Sequence, residues 1–131
     1  MKKTDRSLLR VIDANINRYK EGIRVVEDIY RYIYDDKEIA SKLKSLRHIN
    51  IPINIKELLS SRDSINDVLK PSISSEQNRA DIESIIIANI KRSEESARVL
   101  EELFKLIDIK TSEMFKHNRY MLYNIEKLIL T

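Results

Sequence analysis

The sequence predicts an all-α fold, a helical bundle of two pseudo-two-fold-related helical hairpins joined by a short linking helix and a loop. Three observations predict it. The 131 residues include one Gly (Gly22) and two Pro (Pro52, Pro71), far too few turn formers for a β-rich fold. Apolar residues recur at spacings of three and four over long stretches, the period of a helix face. The sequence also aligns with itself at an offset of 74. The length suits one domain, with repeat halves at about 4–51 and 81–130 and a linker at 52–80.

From Thr4 to about Tyr34, the residues Leu8, Val11, Ile12, Tyr19, Ile23, Val26, Ile29, Tyr30 and Ile33 mark one face of a long helix, with Thr4 as N-cap. Asp35 with Glu38 reads as a capping box opening a second helix through Ile39, Leu43, Leu46 and Ile49, stopped or kinked by Pro52. A short third helix is expected over Ile55 to Ser60, and residues 61–78 form the irregular part. A second long helix is expected from about Asp81 to Ile107, and a last one, capped by Thr111, to about Ile129.

Residues 12–32 and 86–106 carry the repeat. Identical pairs are Ile12/Ile86, Ala14/Ala88, Asn15/Asn89, Ile16/Ile90, Arg18/Arg92, Glu21/Glu95, Arg24/Arg98, Val25/Val99 and Glu27/Glu101. A weaker echo, slipped by two residues, sets Leu43-Lys44 and Arg47-His48 against Phe115-Lys116 and Arg119-Tyr120. One hairpin cannot bury its apolar stripe alone, whereas two packed together can.

Composition narrows the function. Net charge is +3 with acids and bases interleaved, so no basic face for nucleic acid is expected, although small phosphorylated substrates suit the balance. The chain has no Cys, which removes disulfides, thiolate zinc sites and cysteine nucleophiles. Met1-Lys2-Lys3 runs into polar residues rather than a signal sequence, and no apolar run is long enough to span a membrane, so a cytoplasmic location is expected. With one Gly, no glycine-rich phosphate loop can exist, and a nucleotide would be held by side chains and helix N-termini.

On a wheel of 100° per residue, Asn15 falls inside the apolar face and Arg18 on its flank; Asn89 and Arg92 repeat the placement. Two readings stand beside each other. The asparagines bond one another or a backbone and fix register, or they line a polar pocket where Arg18 and Arg92 present guanidinium groups to phosphate. Glu21, Arg24, Glu27, Glu95, Arg98 and Glu101 read as a solvated lattice of helix-spaced ion pairs. Gly22 implies a close approach to its backbone, such as a helix crossing. Arg62-Asp63 followed by Asp67 is either an Asp turn with a cap or two carboxylates and a cation placed for Mg²⁺ and phosphate. His48 and His117 are too far apart in sequence for a recognisable metal motif, and His48, which follows Arg47 as Tyr120 follows Arg119, is expected to pack like an aromatic rather than bind a ligand.

Arg10 to Asp28, Leu43 to His48, Ser61 to Asp63 with Asp67-Val68, Ala88 to Glu102 and Phe115 to Tyr120 together resemble a helical family of thiamin biosynthesis. That family is the second, non-orthologous type of hydroxymethylpyrimidine-phosphate kinase, found alone or fused before thiamine-phosphate synthase. The resemblance implies transfer of the ATP γ-phosphoryl group to 4-amino-5-hydroxymethyl-2-methylpyrimidine phosphate, with Mg²⁺. It carries onto Asn15, Arg18, Glu21, Arg24, Asn89, Arg92, Glu95 and Arg98 as substrate and phosphate ligands, and onto the loop residues Arg62, Asp63 and Asp67. As expectations, Arg62 and Asp63 act in catalysis and Asp63 with Asp67 holds the metal. Where the family tends to have Gly-Thr after Asp-Val, this chain has Leu69-Lys70, which shifts any phosphate contact there to Lys70. Other readings remain: a binding or regulatory module partnering thiamine-phosphate synthase, a small helical enzyme of the chorismate-mutase kind, or a structural dimer with buried Asn. A homodimer is the expected assembly.

Overall fold

The computed structural model describes residues 3–131, with the side chains of residues 3, 4 and 75 outside that description. The Thr4 side chain, expected to cap the first helix, therefore lies outside the description. All regular structure among the described residues is helical: α1 (Lys3–Asp28), α2 (Lys37–Arg47), α3 (Ile55–Ser61), α4 (Ser74–Gln77), α5 (Ile82–Phe104) and α6 (Ile109–Leu130).

Helix α1 does not stop at Asp28 but widens into one π turn, Ile29–Ile33. The chain then reverses at Asp35, whose φ of 51° is left-handed, a conformation that Asp tolerates better than most residues. Asp36, not Asp35, caps α2, accepting from the Ile39 amide at 3.0 Å. The expected box was one residue early because the reversal consumes Asp35. Helix α2 ends at Arg47, well short of Pro52, so the proline lies in the connection and stops nothing. Asp81 caps α5 in a reciprocal box with Ser84 (2.8 and 3.1 Å). Asp108 caps α6, and Thr111, read as the cap from sequence, instead sits a turn in and donates its hydroxyl to that Asp at 2.5 Å.

Helices α1 and α5 pack along their length, α2 and α3 return onto α1, and α6 returns onto α5. The core between them is Ile12, Ile23, Val26, Leu43, Ile90, Leu100, Phe104, Phe115 and Leu122, around Tyr19. Tyr19 is fully buried. Its ring meets Phe115 edge-on at 5.6 Å, its hydroxyl donates to the Leu46 carbonyl at 2.6 Å, and Asn118 donates to that hydroxyl at 3.0 Å. Burial pushes its ionisation far above the ordinary range, so it stays neutral. One side chain thus ties α1 to α2 and α6, as a buried phenol must if its polar tip is to have partners.

Gly22 marks the crossing of α1 and α5. A Cβ built there would stand 2.2 Å from Ser93 Oγ and 2.6 Å from the Asn89 carbonyl oxygen. The close approach expected at Gly22 is therefore the second long helix. Glu27 and Glu101 overturn the picture of a solvated charge lattice. Glu27 is 1% exposed and Glu101 5%, because each faces its own returning helix, where Arg47 binds Glu27 at 2.7 Å and Arg119 binds Glu101 at 2.8 Å. His48 is also not packed; it is exposed at the end of α2, and His117 is exposed on α6. No helix is long and apolar enough to cross a membrane among the described residues.

Candidate functional site

A cleft opens where α1, α5 and the segment following α3 meet. It comprises two adjoining cavities of about 740 and 770 Å³ that share Asn15, Arg18, Ser64, Asp67 and Arg92. Cavities of this size accommodate small-molecule ligands. The α1 wall carries Asn15, Arg18 and Glu21, three residues apart and hence on one side of the helix; α5 supplies Arg92, Glu95 and Ser96. Ser64, Ile65, Asp67, Leu69 and Lys70 close the third side. Val11, assigned to the apolar face, is 43% exposed because the cleft opens beside it.

The arginines that the repeat pairs, Arg18 and Arg92, come from different helices into one cleft. They flank the α1–α5 crossing, where Tyr19 and Ser93, also 74 residues apart, are hydrogen-bonded. Both are exposed, and among the described residues neither has a hydrogen-bond or ion-pair partner. Two unpaired guanidinium groups facing one concavity have the chemistry to bind an oxyanion, beside the carboxylates of Glu21, Asp67, Glu76 and Glu95 that line the same cavities.

The third wall is tied down locally. Asp13, buried on α1, receives Nε and Nη2 of Arg62 at 2.7 and 2.8 Å. Arg10 donates to the Asp63 carbonyl at 2.8 Å. The Asp63 carboxylate accepts from the Asn66 amide N–H (3.2 Å) and side chain (2.8 Å), which holds it below the ordinary carboxylate range. Asp67 Oδ1 accepts from the Leu69 amide at 3.0 Å, and Lys70 reaches the Ile65 carbonyl at 3.2 Å. Among the described residues no three His, Cys, Asp or Glu side chains gather as a metal cluster. Both oxygens of Asp63 are engaged, whereas Asp67 keeps one free and lines both cavities. Asp67 therefore fits a Mg²⁺ ion that arrives with phosphate, which needs only one or two protein carboxylates.

Of the residues expected at a site, Asn15, Arg18, Glu21, Arg62, Asp63, Asp67, Arg92 and Glu95 lie around this cleft. Three do not line it. Arg24 pairs with Asp28 at 3.2 Å, Arg98 with Glu101 and Glu102, and Asn89 donates to the Ile85 carbonyl at 2.9 Å beneath Gly22. Asn15 makes the same bond to Val11, also 2.9 Å. The asparagines thus bond a backbone, their own, and only Asn15 has its remaining Oδ1 and N–H capacity beside the cleft. Asp13 escaped the sequence reading. Its position in the repeat is matched by Ile87, and a carboxylate where the copy is apolar was the available signal.

The ThiD2 family profile matches residues 10–128. Curated relatives include proteins named thiamine-phosphate synthase. The one from Synechocystis sp. is 37% identical over 125 residues, covering 95% of this chain and 36% of the relative. Those from Rhodopirellula baltica and Nostoc punctiforme are 36% and 34% identical, covering 90% and 92% of this chain and 33% and 35% of the relatives. The chain thus spans about a third of the length of these relatives. No solved structure matches it significantly. A match running from Arg10 to Leu128, through both long helices and every wall of the cleft, means that this chain belongs to the ThiD2 family.

Proposed function

We propose that the chain acts in thiamin biosynthesis as a phosphotransferase, moving the γ-phosphoryl group of ATP onto 4-amino-5-hydroxymethyl-2-methylpyrimidine phosphate. The observation that carries this reading is the pair of unpartnered guanidinium groups, Arg18 and Arg92, in one cleft. Family membership and the relatives' name support the pathway.

In this reaction a phosphate oxygen of the pyrimidine ester attacks the γ-phosphorus, a new P–O–P bond forms, and the bond to ADP breaks. A phosphate monoester loses its second proton near pH ~6, so the nucleophile is already an oxyanion and needs no general base. What the protein must do is hold two polyanions together and offset their repulsion. Arg18 and Arg92 bind phosphate oxygens from two sides, and Lys70 adds a third cation on the loop. Asn15 offers an acceptor and a donor to the aminopyrimidine edge, and Ile65, Leu69 and Val99 supply apolar surface for a ring. Mg²⁺ bound to the nucleotide would neutralise phosphate charge, and Asp67 is the loop carboxylate that lines both cavities with an oxygen left for it.

We also read the bundle as two hairpins related by a pseudo-two-fold axis near Gly22, which makes the cleft a single site on the axis rather than one per half. The test is incubation of the chain with ATP, Mg²⁺ and the pyrimidine monophosphate, followed by mass detection of the diphosphate. Diphosphate formed in proportion to ADP is expected. Binding of the pyrimidine phosphate without ATP consumption would instead make the chain a binding module of the synthase pathway.

A further inference from the structure

We propose that Asp13 is a positioning residue that presents Arg62 to the phosphate groups in the cleft, a role that rests on the phosphate-binding reading above. A carboxylate buried to 5% exposure is costly unless it is paired and hydrogen-bonded. Asp13 meets both conditions through one partner, with Oδ2 and Oδ1 accepting from Nε and Nη2 of Arg62. A guanidinium carries five N–H donors, and this side-on grip uses two. The two on Nη1 and the second on Nη2 remain, and Arg62 lines the same 770 Å³ cavity as Arg18 and Arg92.

The three cations therefore differ in kind. Arg18 and Arg92 have no partner among the described residues and must be ordered by the ligand. Arg62 is ordered beforehand, because a planar fork locked on a carboxylate has one orientation. Asp13 also joins α1 to the residue that ends α3, so the same contact fixes where the loop with Asp67 and Lys70 departs. A group held in place before the ligand arrives suits charge that appears only during transfer, which is where preorganised donors act most strongly.

The experiment is calorimetric binding of inorganic pyrophosphate to the full chain, well below its melting midpoint. Asp13→Asn is expected to weaken binding about tenfold, Arg62→Gln by a similar factor, and the double variant no further. In turnover, Asp13→Asn is expected to lower kcat with little change in KM for the pyrimidine phosphate. If both variants melt earlier yet bind pyrophosphate like the wild type, the pair is only a staple and the proposal is overturned. Tighter binding by Asp13→Asn also overturns it, since Asp13 would then compete with the anion. Should Asp13→Asn not fold, Arg62→Lys, which keeps the charge and loses the fork, is expected to bind about tenfold more weakly, and unchanged binding overturns the proposal. A wild-type chain that binds no pyrophosphate sinks the phosphate-cleft reading itself, an outcome distinct from the failure of Asp13 alone.

Discussion

In the first long helix Glu27 is held by Arg47 of the helix that follows; in the second, Glu101 is held by Arg119 of its own follower. Asn15 and Asn89 each donate to the carbonyl four residues back, both at 2.9 Å. These matched residues fasten a hairpin or steady a helix. Other positions 74 apart have parted. Tyr19 faces Ser93, whose hydroxyl donates to the Tyr19 carbonyl at 2.9 Å, so one large and one small side chain share the crossing. Asp13 corresponds to Ile87, and exposed Lys20 to buried Glu94. The residues that agree at this offset include those that fasten each long helix to its follower, and those that differ make contacts the other half lacks. Arg18 and Arg92 match in sequence yet fasten nothing; they flank the crossing and line the same cleft.

The largest effects should come from the matched pairs. Glu27→Ala leaves Arg47 without its carboxylate, and Glu101→Ala does the same to Arg119; each should cost about 3–5 kcal/mol, the penalty for orphaning a buried ion. Urea denaturation measures both. A cost well under 1 kcal/mol in either half would break the equivalence, since one hairpin would then hold without its pair. Gly22→Ala comes next. Alanine is the better helix former, yet its Cβ would strike the Asn89 carbonyl at 2.6 Å, a backbone atom that cannot swing aside. A net loss of about 1–3 kcal/mol is expected, and Ser93→Ala in the same chain should not restore it, because the carbonyl remains.

The asparagines sharpen the contrast at the level of function. Each loses the same intrahelical bond on change to Ala, so the two variants should differ little in stability. Asn15→Ala should raise KM for the pyrimidine phosphate about tenfold, the effect of one lost hydrogen bond to a ligand. Asn89→Ala should leave it where it was. Equal kinetic effects would place Asn89 in a site too and end the claim of a single cleft.

The helices were legible because their signal is local: periodicity, a capping Asp, the near absence of Gly. Their ends were less so, since Asp35 and Asp36 compete for one cap and only the backbone reversal decides between them. Arg18 and Arg92 could be picked out by repetition and by their place beside the apolar face. Glu27 and Glu101 could not be assigned correctly from their own helix, where each looks solvent-facing; the helix that buries them is 20 residues away for one and 18 for the other. Asp13 depends on Arg62, 49 residues on. Long-range pairing is what a single-helix wheel omits.

Glu94 gives the smallest expected effect and the clearest sign. It lies buried on α5, with Lys91 at 3.3 Å from one carboxylate oxygen and the other oxygen without a partner. Lys91 also holds Glu126 of α6 at 3.0 Å. Burial first, and then the negative charge of Glu126, push the Glu94 carboxyl up from 4.5 to about 7. The folded chain therefore keeps this proton at a pH where the unfolded chain has released it. That contribution to stability is complete below about pH 4.5 and is lost as pH rises through 7. Glu94→Gln removes the titration while keeping the shape. From about pH 5.5 to 8 the wild type should lose a few degrees of melting midpoint relative to this variant. If instead Glu94→Gln and the wild type follow the same curve, Glu94 is ionised in the fold across that range, and Lys91 alone suffices to hold both carboxylates.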